Sequence, residues 1–256
     1  MTERITDRIE IVNADCYTLL DGWPSDAALV TDPPYGIAWD TGYDFGIGNS
    51  SAPNAKNHVR KVHKPIVGDG KPFDPAPFLR FKTVCLWGCN YFMGHLPEGG
   101  LLVWDKRTES GKAFMSEAEA AWVNRKGKVR MFSHCWQGFS RASENSQHFH
   151  PTQKPVAVLT WCLDVCGVRD GLVIDPFAGS GSLGIACMRK GLRYLGVEID
   201  PDHYAVMRDR LQREARQPEL FQPSCDTADT GKSDCRDGSL DLPLETHEKG
   251  GRDARG

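Results

Sequence analysis

No apolar run in the 256 residues comes near the ~20 needed to span a bilayer. The nine cysteines include no C-x-x-C pair, which argues against a zinc ribbon or finger. The eight histidines form no ligand cluster, and His148-Phe149-His150 is too short to hold an ion, so no metal is expected. The opening residues, Met1 to Arg8, lack the apolar centre of a signal peptide, and a cytoplasmic location is the expectation. Excess positive charge is also missing. The formal net charge is −3, which argues at first against a polyanionic partner. That balance is uneven along the chain: residues 222–256 hold eight acids and five Lys/Arg, leaving 26 of each sign in residues 1–221. Binding to nucleic acid would then depend on local clusters of charge.

With 40% hydrophobic residues there is material for an ordinary core. Short apolar runs predict strands near 9–12, 27–31, 83–87, 101–104, 129–135, 172–175 and 193–198. Helices are predicted near 76–81, 90–95, 116–123, 155–166, 182–190 and 201–215. Val156, Leu159, Leu163 and Cys166 share one face of the fourth of these helices, and the cysteines inside apolar runs read as small, reduced core residues. Seven strands with intervening helices imply an α/β fold, a doubly wound and mostly parallel sheet. Two regions break the pattern. Residues 36–74 form a long Gly-, Ser-, Asn- and Lys-rich loop, and residues 217–256 read as a disordered polar tail, leaving a domain over 1–216.

Asp32-Pro33-Pro34-Tyr35 follows the apolar run Ala27-Ala28-Leu29-Val30-Thr31. Prolines fix their own φ, push the preceding residue towards extended geometry and lack an amide proton. The chain must leave the sheet there as a rigid lip carrying a carboxylate and a flat ring, at the end of a strand where α/β folds bind ligands. Such a lip suits a planar group with an amine, such as a nucleobase; a plain Pro-Pro turn with a surface tyrosine is the alternative. A second signal lies at Asp175-Pro176-Phe177-Ala178-Gly179-Ser180-Gly181-Ser182, between the strand Leu172-Val173-Ile174 and a small-residue helix. The next strand ends at Glu198, placed to bind ribose hydroxyls. No third glycine completes a dinucleotide fingerprint, and no Gly-Lys-Ser/Thr follows as in a P-loop. With no lysine and an acidic rim, the loop fits a nucleoside better than a polyphosphate.

Together these two motifs resemble the S-adenosylmethionine-dependent DNA amino-methyltransferases. His150-Pro151-Thr152-Gln153-Lys154-Pro155 agrees with that family, and the motif order resembles its β class. The resemblance covers residues from about 9 to 216 and implies a Rossmann-like sheet whose last two strands are antiparallel. It implies S-adenosylmethionine as cofactor, double-stranded DNA as partner and a bacterial or phage setting such as restriction-modification. Asp32, Pro33, Pro34 and Tyr35 would be catalytic: Tyr35 stacks on an extruded base while the Asp32 carboxylate and Pro33 carbonyl accept its amino protons. Asp15, Thr152, Lys154, Asp175, Phe177, Ala178, Gly179, Ser180, Gly181 and Glu198 would hold the cofactor, with Lys154 on its carboxylate. Asp15 as a helix N-cap and Lys154 as a solvated lysine are the competing readings.

An aspartate opening the motif leans towards adenine N6 in this family; cytosine N4 is the alternative, and a retired partner subunit a further one. Lys56, Arg60, Lys61 and Lys64, in the loop after the lip, are expected to meet phosphates. Trp104-Asp105-Lys106 reads as a core tryptophan with a surface ion pair, and Glu117 and Glu119 as part of an amphipathic helix. The segment 137–149 is short for a recognition region, so a homodimer is expected. Gln217-Pro218-Glu219-Leu220-Phe221 resembles peptides that dock on sliding clamps; a helix end packed back on the sheet is the other reading.

Overall fold

The computed structural model describes residues 2–38, 66–107, 116–137, 140–144 and 153–217. Among them the strands are β1 (Thr2–Thr6), β2 (Ile9–Asn13), β3 (Ala28–Thr31), β4 (Thr83–Trp87), β5 (Gly100–Asp105), β6 (Ala118–Val123) and β7 (Arg130–Ser133). A small hairpin follows, β8 (Trp136–Gln137) and β9 (Ser140–Arg141), and then β10 (Leu172–Asp175) and β11 (Arg193–Glu198). The helices are α1 (Val156–Val165), α2 (Ser182–Arg189) and α3 (Pro201–Ala215). Nine of the strands form one sheet in the order β1-β2-β11-β10-β3-β4-β6-β5-β7.

Five neighbours, β2, β11, β10, β3 and β4, are mutually parallel, as the doubly wound expectation requires. The count and the antiparallel part are corrected. Nine strands replace seven, β1 folds back on β2 as a hairpin, and β6 runs antiparallel to both β4 and β5. The edge strand β7 is parallel to β5, so the last two strands of the sheet are not an antiparallel pair.

The largest correction is β6 itself. Ala118-Glu119-Ala120-Ala121-Trp122 has strong helix formers, yet two ladders hold it as strand: Cys85↔Val123 to Trp87↔Ala121 on one side, Gly100↔Val123 to Asp105↔Ala118 on the other. Tertiary pairing overrides propensity here. The helices expected at 76–81 and 90–95 are short 3-10 turns, Ala76–Phe78, Cys89–Tyr91 and Met93–His95. Pro75, Pro77, Gly88 and Gly94 punctuate those segments and keep each turn short.

Strand alternation sorts the core into two layers. On one face Val30, Cys85, Trp87, Leu102, Trp104, Ala121 and Val123 pack with Val158, Leu159, Leu163, Leu183 and Met207 of the three helices. On the other, Leu29, Leu86, Trp122 and Ile174 meet Leu20, Phe73, Phe78 and Phe92 from the turns. Cys85, Cys162 and Cys166 bring three thiols within 4.8 Å of one another at the seam of β4 and α1, with Sγ of Cys85 and Cys162 3.3 Å apart. No fourth ligand joins them among the described residues. No described helix is long and apolar enough to cross a membrane.

Candidate active site

The five parallel strands present their carboxyl ends along one edge, and the winding reverses between β10 and β3. That crevice is where open α/β sheets bind ligands. The Asp32-Pro33-Pro34-Tyr35 lip leaves β3 there, beside the glycine loop that leaves β10. Thr31 Oγ1 donates to Asp175 Oδ1 at 2.6 Å across the switch point. Asp175 is buried and also accepts from the Phe177 amide (3.3 Å) and the Tyr194 hydroxyl (3.4 Å). Burial pushes its carboxyl up to about 7, against the pull of the Thr31 and Phe177 bonds.

On the lip, Asp32 Oδ1 accepts from the Tyr35 hydroxyl at 2.5 Å, and Oδ2 is paired with the ammonium of Lys154. The side chain of Lys154 is 5% exposed and that of Asp32 23%, so the carboxylate keeps an open side while the lysine does not. This excludes the solvated-lysine reading. Burial raises the Asp32 carboxyl above its usual range; Lys154 opposes that shift and Glu119 adds to it. The Tyr35 ring stacks on Tyr91, centroids 4.7 Å apart and planes 16° from parallel. Its edge lies on bare backbone: at Gly88, with φ +70°, an added Cβ would stand 1.9 Å from Tyr35 Cε1.

Lys154 Nζ also reaches Glu119 Oε2 at 3.1 Å and lies 5.3 Å over the Trp87 ring. Glu119 Oε1 pairs in turn with Lys106 at 2.8 Å. Burial pushes Glu119 up, but the ammonium groups of Lys154 and Lys106 outweigh it and hold the carboxyl at about 2. Two expectations are corrected. Glu119 belongs to a strand at the site, not to an amphipathic helix, and Lys106 is buried, not at the surface. Trp104 is in the core as expected. The missed signal in the sequence is the period-two series Glu119, Ala121, Val123, which puts the acid on the helix-covered face once β6 is read as strand.

In the glycine loop, the Gly179 amide donates to Glu198 Oε2 and the Asp200 amide to Oε1, both at 2.8 Å. Burial raises the Glu198 carboxyl, and these two amides counter it. Gly179 sits at φ +52°, and a Cβ there would meet nothing within 4 Å. Gly181 is the N-cap of α2 and supplies no side chain, which leaves the first amides of the helix without a side-chain cap. Arg210 of α3 is buried and props the loop from behind, donating to the Ser180 carbonyl (2.6 Å), Ser180 Oγ (2.9 Å) and Ser182 Oγ (3.2 Å). It also reaches Glu144 at 3.4 Å, and Glu144 accepts from Gln153 Nε2 and the Val156 amide, both at 2.8 Å. Ala178 is tied to β11 through its amide and the Val197 carbonyl. Phe177 packs edge-on against Phe73, Phe78 and Tyr17, and Tyr17 is half exposed. Asp15 caps the turn Cys16–Thr18 by accepting from the Tyr17 amide at 3.0 Å, as the N-cap reading expects.

Thr152, Lys56, Arg60, Lys61, Lys64 and residues 218–221 of the clamp-like peptide lie outside the described residues. The ends that flank 39–65 are held together: Asp69 Oδ1 accepts from the amides of Gly36 (2.8 Å) and Ile37 (3.3 Å), and its carbonyl from Ala38 (2.8 Å).

The sequence model of the N6/N4 methyltransferases, described as a DNA methylase, matches residues 37–209. The chain belongs to this family of DNA methylases. It is 36% identical to the type II methyltransferase M.ScaI of Streptomyces caespitosus, over 82% of this chain and 84% of that one. It is 25% identical to the putative methylase YubD of Escherichia coli K12, over 78% and 88% of the two chains. The PvuII cytosine-N4-specific DNA methyltransferase shares its fold at TM-score 0.54 and 12% identity, over 85% of this chain and 89% of that one. This family of DNA amino-methyltransferases takes its methyl group from S-adenosylmethionine.

The site suits that cofactor. The space over Gly179 admits close approach of a ligand, and the acceptor-rich Glu198 stands beside it. The Phe177 cluster offers an apolar aromatic wall.

Proposed function

We propose that this DNA methyltransferase transfers the methyl group of S-adenosylmethionine to the N6 amine of an adenine swung out of the duplex. The observation that carries this reading is the placement of Asp32-Pro33-Pro34-Tyr35 at the switch point, alongside the glycine loop and Glu198. The cofactor supplies a sulfonium methyl, already activated for transfer. Glu198 would hold its ribose, and Phe177, Gly179 and Gly181 would line it, with Asp15 and Ala178 near the adenosine end. Ser180 and Asp175 shape the loop from within.

The lip then does the positioning. The open side of the Asp32 carboxylate and the Pro33 carbonyl accept one amino proton each, which turns the nitrogen lone pair towards the methyl. The Tyr35 face, backed by Tyr91, stacks on the base, a contact worth ~1–3 kcal/mol. Alignment is the main source of rate here. An aspartate at the head of the motif supports adenine; the same two acceptors would also hold the N4 amine of cytosine.

Labelled methyl transfer from S-adenosylmethionine to duplex DNA, with Asp32→Ala as control, tests the chemistry, and mass spectrometry of the digested nucleosides tests the base. N6-methyladenine that disappears in D32A is expected. N4-methylcytosine would overturn the adenine assignment, and no transfer would overturn the enzyme. Lys56, Arg60, Lys61 and Lys64 are proposed to meet phosphates, and the short segment 137–149 leaves part of site reading to a second copy of the chain. A monomer protecting one long site in footprinting would refute the dimer.

A further inference from the structure

Asp32, Lys154, Glu119 and Lys106 alternate in sign, and the sheet explains how they meet. Asp32 continues the pleat of Val30, Lys106 that of Trp104, and Glu119 precedes Ala121 by two, so all three leave the helix-covered face. Because β6 is antiparallel, its first residues stand at the same edge as the last residues of β3, β4 and β5. Lys154 arrives from the turn before α1 and bridges Asp32 to Glu119, its ammonium over the Trp87 ring of β4. A network of this kind seldom adds stability over an apolar core of the same shape. Its position behind the lip points to a task in the site.

We propose that Glu119 and Lys106 are positioning residues for methyl transfer, completing with Lys154 a row of alternating charges that fixes the Asp32 carboxylate where the target amine meets it. The inference rests on the methyltransferase reading above. Neither residue touches the base; each acts through Lys154. The four charges sum to zero. Neutralising Lys106 leaves the row, Asp32 included, at a net −1 and favours the protonated form of Asp32. Neutralising Glu119 leaves a net +1 and favours the carboxylate, but it also removes the second anchor of the Lys154 ammonium. The other groups facing Asp32 are the Tyr35 hydroxyl on the lip, Asp175 at the end of β10, and Tyr91 behind Tyr35; none of them changes in these variants.

The test is a carboxylate titration by 13C NMR on full-length protein labelled at aspartate, with the Asp32 signal assigned from Asp32→Asn, alongside the pH profile of kcat. Lys106→Met should move the Asp32 titration and the acid limb of kcat to higher pH, and Glu119→Gln to lower pH, each by on the order of one pH unit. E119Q should also lower kcat about tenfold with KM for S-adenosylmethionine unchanged. The double variant E119Q/K106M restores charge balance and should return the titration close to wild type, which a mere loss of packing would not do. Unmoved titrations in both single variants, or shifts of the same sign, overturn the proposal. The NMR titration reads the row whether or not DNA is methylated. A wild-type protein without transfer activity would refute the function alone.

Discussion

Asp175 is an acid that the fold holds against ionisation, and this ties stability to pH. Its folded value is about 7, while an aspartate in an unfolded chain titrates near ~3.9. Between those values the folded state keeps a proton that the unfolded chain releases. The stability tied to that proton is complete below about pH 4 and is lost as pH rises to about 7. Asparagine keeps an acceptor for Thr31 and Phe177 and has nothing to ionise. Melting curves should therefore show Asp175→Asn gaining on wild type from pH 4 to 7 and holding a constant difference above it; a difference independent of pH would show an ordinary aspartate. Gly88 makes a second residue-scale prediction. Alanine there meets both the positive φ and the Tyr35 ring edge. The strain costs about 1–3 kcal/mol, and a ring displaced by an ångström costs about 10²-fold in kcat. A methylation rate about 10²-fold lower, with unchanged S-adenosylmethionine affinity, is expected for G88A. An equal loss in both would place the damage in the whole edge of the sheet.

At the scale of elements, the readable parts of the chain were those whose local pattern agrees with their tertiary use. β3, β10 and β11 are short apolar runs closed by a polar turn, and α1 to α3 have helical spacing with clear boundaries, so the lip and the glycine loop could be placed beforehand. β6 could not, because alanine and glutamate favour a helix and only the two flanking ladders make it a strand. The misread element hid a residue: with 116–123 as a helix, Glu119 faces solvent and the charge row has no second acid. β1 was missed because Thr2-Glu3-Arg4-Ile5-Thr6 is an edge strand with little apolar content, held by its pairing with β2. Arg210 was missed for the same reason of scale, since nothing in α3 marks a buried arginine. Its role gives an element-level prediction. Arg210→Met removes the prop behind Ser180 and Ser182 and leaves Glu144 without its charge partner. Breaking a buried pair of this kind costs about 3–5 kcal/mol. A lower Tm and weaker S-adenosylmethionine binding by calorimetry are expected, with DNA affinity retained; unchanged cofactor binding would free the loop from α3.

The whole molecule divides its charge in a way that bears on DNA. Removing residues 218–256 takes away nine acids and five Lys/Arg from a chain that carries 34 and 31, leaving 25 acids against 26 bases. The last described helix, α3, closes with the Arg216 and Gln217 amides on the Arg213 and Glu214 carbonyls. No described strand or helix is cut by ending the chain after Gln217. Such a truncated protein should keep the Tm and the methyl-transfer rate of the full chain, which would make residues 1–217 the catalytic domain. Its formal charge rises from −3 to +1, so its DNA affinity at low salt should equal or exceed that of the full chain. The dependence of log Kd on log salt counts phosphates neutralised at the interface, and that number is set by bases that remain. Equal slopes with an offset in favour of the truncated chain are therefore expected in binding titrations across salt. A shallower slope after truncation would mean that Lys232, Arg236, Lys249, Arg252 or Arg255 contacts the phosphates directly, and the acidic balance of that segment would then mask a second DNA-binding surface.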